Sequence, residues 1–264
     1  MNTVTSKDGT TIAFDRSGEG PAIILVGAAM TKRSDYVPLA ESLAPYFSVF
    51  SHDRRGRGDS GDTLPYAVAR EVEDIEAVIS AAGGSAFLFG HSSGAVLVLE
   101  AARMLATKIT KLAVYEPPFI VDDSHLPLPE DYVAQLNAAI VVGRPGDAIE
   151  IFMTKAVGIP AEAVAQMRNE PWWAGSEAVA HTLAYDGTIM GDTMRGSPLP
   201  LKKWASVTAP TLVLDGEKSD TFMHTGAQAL TDILPNAQRR TLAGQDHGAA
   251  PEVLTPVLVE FFLD

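Results

Sequence analysis

The stretch from Ala86 to Leu105 constrains the fold more than any other part of the chain. It opens with the apolar run Ala86–Phe89, passes through Gly90-His91-Ser92-Ser93-Gly94, and continues into Ala95–Leu105, which is apolar nearly all round. A short apolar run ending in glycine reads as a strand covered on both faces. An all-round apolar segment reads as a helix packed deep against a sheet. Joining the two so closely needs a sharp turn, and the small residues two before and two after Ser92 let the backbones approach. Such a turn strains Ser92, lifts its hydroxyl off the sheet near a helix N-terminus, and aims the Ser93 N–H at the place where an oxyanion would form. The G-x-S-x-G string alone is weak; its strand–turn–helix setting carries the signal.

The rest of the chain repeats the same alternation. Thr3–Ser6 and Thr11–Asp15 flank the turn Lys7-Asp8-Gly9 and predict an N-terminal antiparallel hairpin. Ala22–Val26, Phe47–His52, Leu112–Tyr115, Thr211–Leu214 and the more polar Arg239–Leu242 predict further strands. Between them, Val68, Val72, Ile75 and Ile79 recur at helical spacing opposite Glu71, Asp74 and Glu76, which are expected to form a solvated face. Leu254, Val257, Leu258 and Phe261 predict a closing helix. Interleaved strands and helices imply an α/β fold with a mostly parallel central sheet flanked by helices. The alternation breaks from Pro117 to Leu201, where prolines, Trp172-Trp173 and helical patterns occur without an intervening strand. The expected organisation is therefore a core of residues 1–117 and 202–264 with a helical cap over 118–201.

Composition removes whole classes of function. Lys and Arg number 20 against 33 Asp and Glu, a net charge of −13, which repels phosphate backbones and anionic lipid. No role with nucleic acid or membranes is expected. Cysteine is absent, so disulfides, thiolate metal sites and thiol catalysis are excluded together. Charges throughout the first thirty residues argue against a signal peptide, and no apolar stretch reaches the ~20 residues that span a bilayer. The expectation is a cytoplasmic protein without metal or other cofactor, whose partners are a small-molecule substrate and at most a second copy of the chain.

A serine hydroxyl needs a base to become a nucleophile. Of six histidines, His247 lies between the last strand and the closing helix, in a loop returning to the sheet edge where ligand sites of open α/β folds lie. His91 is expected to point away from Ser92, His52 to order its loop, and His125, His181 and His224 to sit on the surface or in the cap. His247 is the candidate base.

With these residues in hand, the chain resembles the α/β-hydrolase family over nearly its whole length. Beyond the elbow at Ser92, the run Asp53, Arg55, Gly56, Gly58, Ser60 matches that family's D-x-R-G-x-G-x-S loop. The resemblance implies a Ser–acid–His triad with the acid between the other two. The family's usual acid position, three residues past Gly216, holds Ser219, with Asp220 one residue later. Glu116, at the end of Leu112–Tyr115, matches the position used by certain haloalkane dehalogenases. Both acids are candidates; Asp220 also suits a helix N-cap, which favours Glu116. The family's first oxyanion donor follows Ala22–Val26, where the sequence reads Gly27-Ala28-Ala29-Met30 without the common histidine. Ala29 is the expected donor, with Ala28 as fallback, and Ser93 supplies the second N–H.

Gly56, Gly58 and Gly61 also spell G-x-G-x-x-G, but they neither follow the first parallel strand nor open a helix, as a dinucleotide site requires. Ala28, Met30, Trp172 and Trp173 are candidates for substrate contact under an apolar cap. The expected function is a serine hydrolase acting on an ester, lactone or thioester of a small apolar carbonyl compound. Acyl transfer, carbon–carbon cleavage or biosynthetic cyclisation on the same scaffold, and a ligand-binding module with little turnover, are the alternatives.

Overall fold

A computed structural model describes residues 1–264. Eight strands form one sheet: β1 (Asn2–Thr5), β2 (Thr11–Ser17), β3 (Ala22–Val26), β4 (Ser48–His52), β5 (Ala86–His91), β6 (Ile109–Tyr115), β7 (Thr211–Gly216) and β8 (Ala237–Leu242). Their spatial order is β1-β2-β4-β3-β5-β6-β7-β8. The β1–β2 hairpin and the β2–β4 pair are antiparallel, and the other pairs are parallel. β6 begins ahead of the apolar run because Thr110 and Lys111 extend it towards solvent.

Strand alternation sends successive side chains to opposite faces, so two cores form. Ile24 and Val26 join the core that includes α2 (Val68–Ala81), α3 (Ser93–Met104) and α9 (Thr221–Ile233). Ile23 and Leu25 join the other, against α1 (Val37–Leu43) and α10 (Pro251–Leu263). Helix α3 is buried from Ser93 through Ala102, which explains its uniformly apolar sequence. Truncating a side chain such as Leu97 to alanine there should cost about 2–5 kcal/mol.

The polar face expected on α2 is not solvated. Glu71 and Asp74 are buried, and each takes a bidentate pair from an arginine of the loop after β4, Arg54 on Glu71 and Arg55 on Asp74. Helical spacing places these acids opposite the apolar stripe but cannot reveal that a basic loop covers them. Only Glu76 is partly exposed, bonded to Lys108.

Between β6 and β7 the chain contains no strand. It runs through α4 (Tyr132–Val141), α5 (Pro145–Ile151), a π-helical turn over Phe152–Ala156, α6 (Ala161–Met167), α7 (Trp173–Glu177) and α8 (Leu183–Met190). Contacts of α8 with α3 seat this insertion beside the C-terminal edge of the parallel strands. No helix is long and apolar enough to cross a membrane.

Candidate active site

Three non-glycine residues have positive φ: Met30 at 62°, Ser92 at 55° and Glu116 at 47°. They lie in the connections leaving β3, β5 and β6, on one edge of the sheet. Such conformations cost about 1–3 kcal/mol each and persist only where their surroundings enforce them.

At Ser92 the enforcement is steric. A Cβ on Gly90 would meet the Gly94 carbonyl oxygen at 2.5 Å, and one on Gly94 would collide with the carbonyl oxygens of Val26 and Gly27. The Ser92 N–H donates to Tyr115 C=O at 2.9 Å, which ties the turn to the end of β6. Strand register then brings the next residue, Glu116, close by: His91 pairs with Tyr115 across β5 and β6, and Tyr115 pairs with Leu214 across β6 and β7.

Glu116 is fully buried, and both its oxygens are engaged. Oε1 accepts the Gly216 N–H at 2.6 Å, and Oε2 lies 2.7 Å from His247 Nδ1. A carboxylate only accepts, so His247 Nδ1 carries a proton, and in the neutral tautomer this fixes, Nε2 is the acceptor. Ser92 and His247 border one cavity of about 650 Å³, and no hydrogen bond joins them. Such bonds commonly tighten only when substrate binds. Asp220 borders the same cavity at the start of α9 without bonding His247. Ser219, at the position where the family usually has its acid, has a buried hydroxyl with no partner.

His91 makes no hydrogen bond to Ser92, and its ring is held by other partners. Its Nε2 lies 2.9 Å from the His247 carbonyl oxygen and therefore donates; its Nδ1 accepts from the Tyr36 hydroxyl at 3.1 Å. Tyr36 in turn accepts the Ala28 N–H at 2.9 Å. Adjacent residues of the turn do diverge, but the ring swings behind His247, with ring centroids 4.8 Å apart, rather than out to solvent. Burial, and repulsion from the His247 ring whenever that ring is protonated, push the His91 pKa down to about 3, so it stays neutral. The Tyr115 hydroxyl donates to the Asp246 carbonyl and pins the same loop from the other side.

Ala28's N–H is thus occupied, which removes it as an oxyanion donor. Ala29 N–H has no partner in the chain, and neither has Ser93 N–H at the first position of α3, where a helix leaves its donors free. Both residues border the cavity, as does Ala28; Met30 does not. The far walls are apolar: Leu128, Phe152, Val157, Met190, Met194 and Phe222. Trp172 and Trp173 do not contribute. Trp173 is packed inside the insertion with its Nε1 on Glu177, and Trp172 is 45% exposed. An apolar aromatic in a helical segment reads the same whether it faces a core or a ligand.

Sequence reasoning also missed the polar support behind the site. Arg54, Arg57 and Asp186 are buried together; Asp186 comes from α8, and its Oδ1 accepts from Ser93 Oγ at 2.8 Å. Burial alone would raise the Asp186 pKa, but the Arg57 and Arg54 guanidiniums hold it below the usual carboxylate range. No sequence signal joins these residues, because Asp186 lies 132 positions from Arg54. No group of three or more histidine, aspartate and glutamate side chains is placed to hold a metal.

A model described as the Alpha/beta hydrolase family matches residues 22–256. The chain belongs to the α/β-hydrolase family. Within that family, a solved structure of an alpha/beta hydrolase from Sphaerobacter thermophilus DSM 20745 is 55% identical, with a TM-score of 0.91 over 99% of this chain and 100% of that one. A pimeloyl-[acyl-carrier protein] methyl ester esterase of Xanthomonas axonopodis pv. citri is 26% identical over 89% of this chain and 90% of its own length. An N-formylmaleamate deformylase of Pseudomonas putida is 33% identical, but over only 51% of this chain and 52% of its own length.

Proposed function

We propose that the protein is a serine hydrolase that cleaves esters, lactones or thioesters of small apolar carbonyl compounds through an acyl-enzyme. The observation that carries this reading is the 2.7 Å Glu116–His247 contact facing the strained Ser92 across one cavity. The names of two relatives, a methyl ester esterase and a deformylase, support hydrolysis at a carbonyl.

In this mechanism His247 Nε2 takes the Ser92 proton as Oγ bonds to the substrate carbonyl carbon, and the C=O pair moves onto oxygen. Glu116 holds the imidazole in the required tautomer and stabilises its charged form. The N–H groups of Ala29 and Ser93 receive the oxyanion, where each such donor is worth on the order of 100–1,000-fold in rate. Collapse expels the alcohol or thiol, which takes the proton from His247. Water, deprotonated by the same imidazole, then releases the acid and restores Ser92.

The apolar walls contributed by Leu128, Phe152, Val157, Met190 and Met194 suit an apolar acyl or alcohol group, and the insertion acts as a cap that excludes water. The test is turnover of a p-nitrophenyl acyl ester. Wild-type protein should hydrolyse it and Ser92→Ala should not; retained turnover in Ser92→Ala refutes the assignment.

A further inference from the structure

The two peptide units around Ala28 carry four polar groups, and side chains hold three of them. Gly27 C=O accepts from Arg54 Nη1 at 3.3 Å, and Ala28 N–H donates to the Tyr36 hydroxyl. Ala28 C=O accepts from Arg57 Nη1 at 2.7 Å and from Thr31 Oγ1 at 2.8 Å, with a longer bond from the Thr31 N–H at 3.4 Å. The fourth group, Ala29 N–H, is free beside the cavity.

Ala28 C=O and Ala29 N–H are opposite ends of one planar unit, and the only cis peptide in the chain is Leu64–Pro65. In a trans peptide the two point in opposite directions, so fixing the oxygen fixes the direction of the hydrogen. A charged donor on the oxygen also polarises the amide and strengthens its N–H as a donor.

Arg57 is itself held from the insertion. Its Nη2 donates to Asp186 Oδ2 at 2.7 Å and its Nε to Thr182 Oγ1 at 3.2 Å. The other oxygen of Asp186 takes Arg54 Nη1 at 2.8 Å and the Ser93 hydroxyl. One carboxylate from α8 therefore contacts both arginines that grip the Gly27 and Ala28 carbonyls, and also the residue offering the second oxyanion N–H. Charge neutralisation alone would not require two guanidiniums to end on consecutive carbonyls. Buried ion pairs are moreover often no more stabilising than apolar packing of the same volume.

We propose that Arg57, anchored by Asp186 and Thr182 of the insertion, is a positioning residue that holds the Ala28–Ala29 peptide with its N–H towards the oxyanion, so that an intact oxyanion hole depends on the docked insertion. This rests on the serine-hydrolase reading above.

The test is Arg57→Met in the full chain, which leaves Asp186 paired with Arg54. Active sites are counted by fluorophosphonate labelling, so that partial unfolding does not count as lost rate. Per labelled site, kcat on the p-nitrophenyl ester should fall on the order of 10- to 100-fold, as misplacement of a catalytic group does, with KM within about threefold. A trifluoromethyl ketone provides a second readout. Ser92 Oγ adds to its carbonyl carbon, the C=O pair moves to oxygen, and the hydroxyl proton passes to His247. Its affinity should fall by the same factor as kcat. Unchanged kcat, or a kcat loss with full ketone affinity, overturns the inference while leaving the hydrolase reading intact. Wild-type protein without Ser92-dependent turnover overturns both. Should Arg57→Met fail to fold, Thr31→Val removes another donor from the same oxygen without unpairing a charge. A loss of roughly three- to tenfold in kcat at constant KM then supports the inference, and unchanged kcat overturns it.

Discussion

Glu116 joins the β7 backbone to the His247 ring: one carboxylate oxygen takes the Gly216 N–H from the end of β7, and the other meets His247 Nδ1. The acid thus orients the imidazole from the end of β6, while Ser219 stands at the family's usual position beyond β7. Glu116→Gln should keep the shape but favour the wrong imidazole tautomer, lowering kcat on an activated ester on the order of 1,000-fold or more. Asp220→Asn should lose less than about tenfold, since Asp220 does not contact the ring. Steady-state kinetics of both variants check this, and the opposite ranking would return the acid's role to Asp220.

The backbone of Ser92, at φ 55° and ψ −122°, lies where glycine is favoured and other residues are strained. Ser92→Gly should therefore abolish turnover yet raise stability by about 1 kcal/mol, the relieved strain being partly offset by the freedom glycine adds to the unfolded chain. Urea denaturation would measure the gain; a destabilised Ser92→Gly would mean that the elbow stores no strain.

Tyr36 joins the loop after β3 to His91, and through it to the His247 backbone. Tyr36→Phe leaves the Ala28 N–H and His91 Nδ1 without partners, which should cost about 1–3 kcal/mol in stability. A drop in kcat should accompany it, because the loops carrying donor and base are no longer tied together. The urea midpoint and the p-nitrophenyl ester assay read the two effects on one preparation.

His91 is held neutral down to about pH 3 in the folded chain, whereas an unfolded histidine titrates at about 6.5. Its contribution to stability is therefore fully present above about pH 6.5 and is lost as pH falls towards 3, because only the unfolded state takes up the proton. Replacing it by His91→Gln should flatten the dependence of unfolding free energy on pH by up to about 1.4 kcal/mol per pH unit between roughly pH 4 and pH 6. An unchanged slope in that window would show that His91 titrates alike in both states.

The strands and the elbow were legible because burial leaves a local imprint: Ala86–Phe89, the glycines around Ser92 and the all-round apolar α3 each report their own surroundings. Glu116 was visible only as one of two acids, since the choice depends on the register between β5, β6 and β7. What sequence hid was set by partners distant along the chain. Glu71 and Asp74 look solvated until Arg54 and Arg55 cover them, and Asp186 is one acid among many until α8 docks on Ser93. Trp172 and Trp173 misled for the same reason, as apolar spacing does not say which surface it will meet.

The most direct measurement of the central claim is intact-protein and peptide mass spectrometry after exposure to a fluorophosphonate. Attack by Ser92 Oγ forms an O–P bond, expels fluoride and passes the hydroxyl proton to His247. The account predicts a single phosphonyl adduct on the peptide carrying Ser92, formed at least 100-fold more slowly in His247→Ala. No adduct on Ser92, or labelling at the same rate without His247, would contradict it.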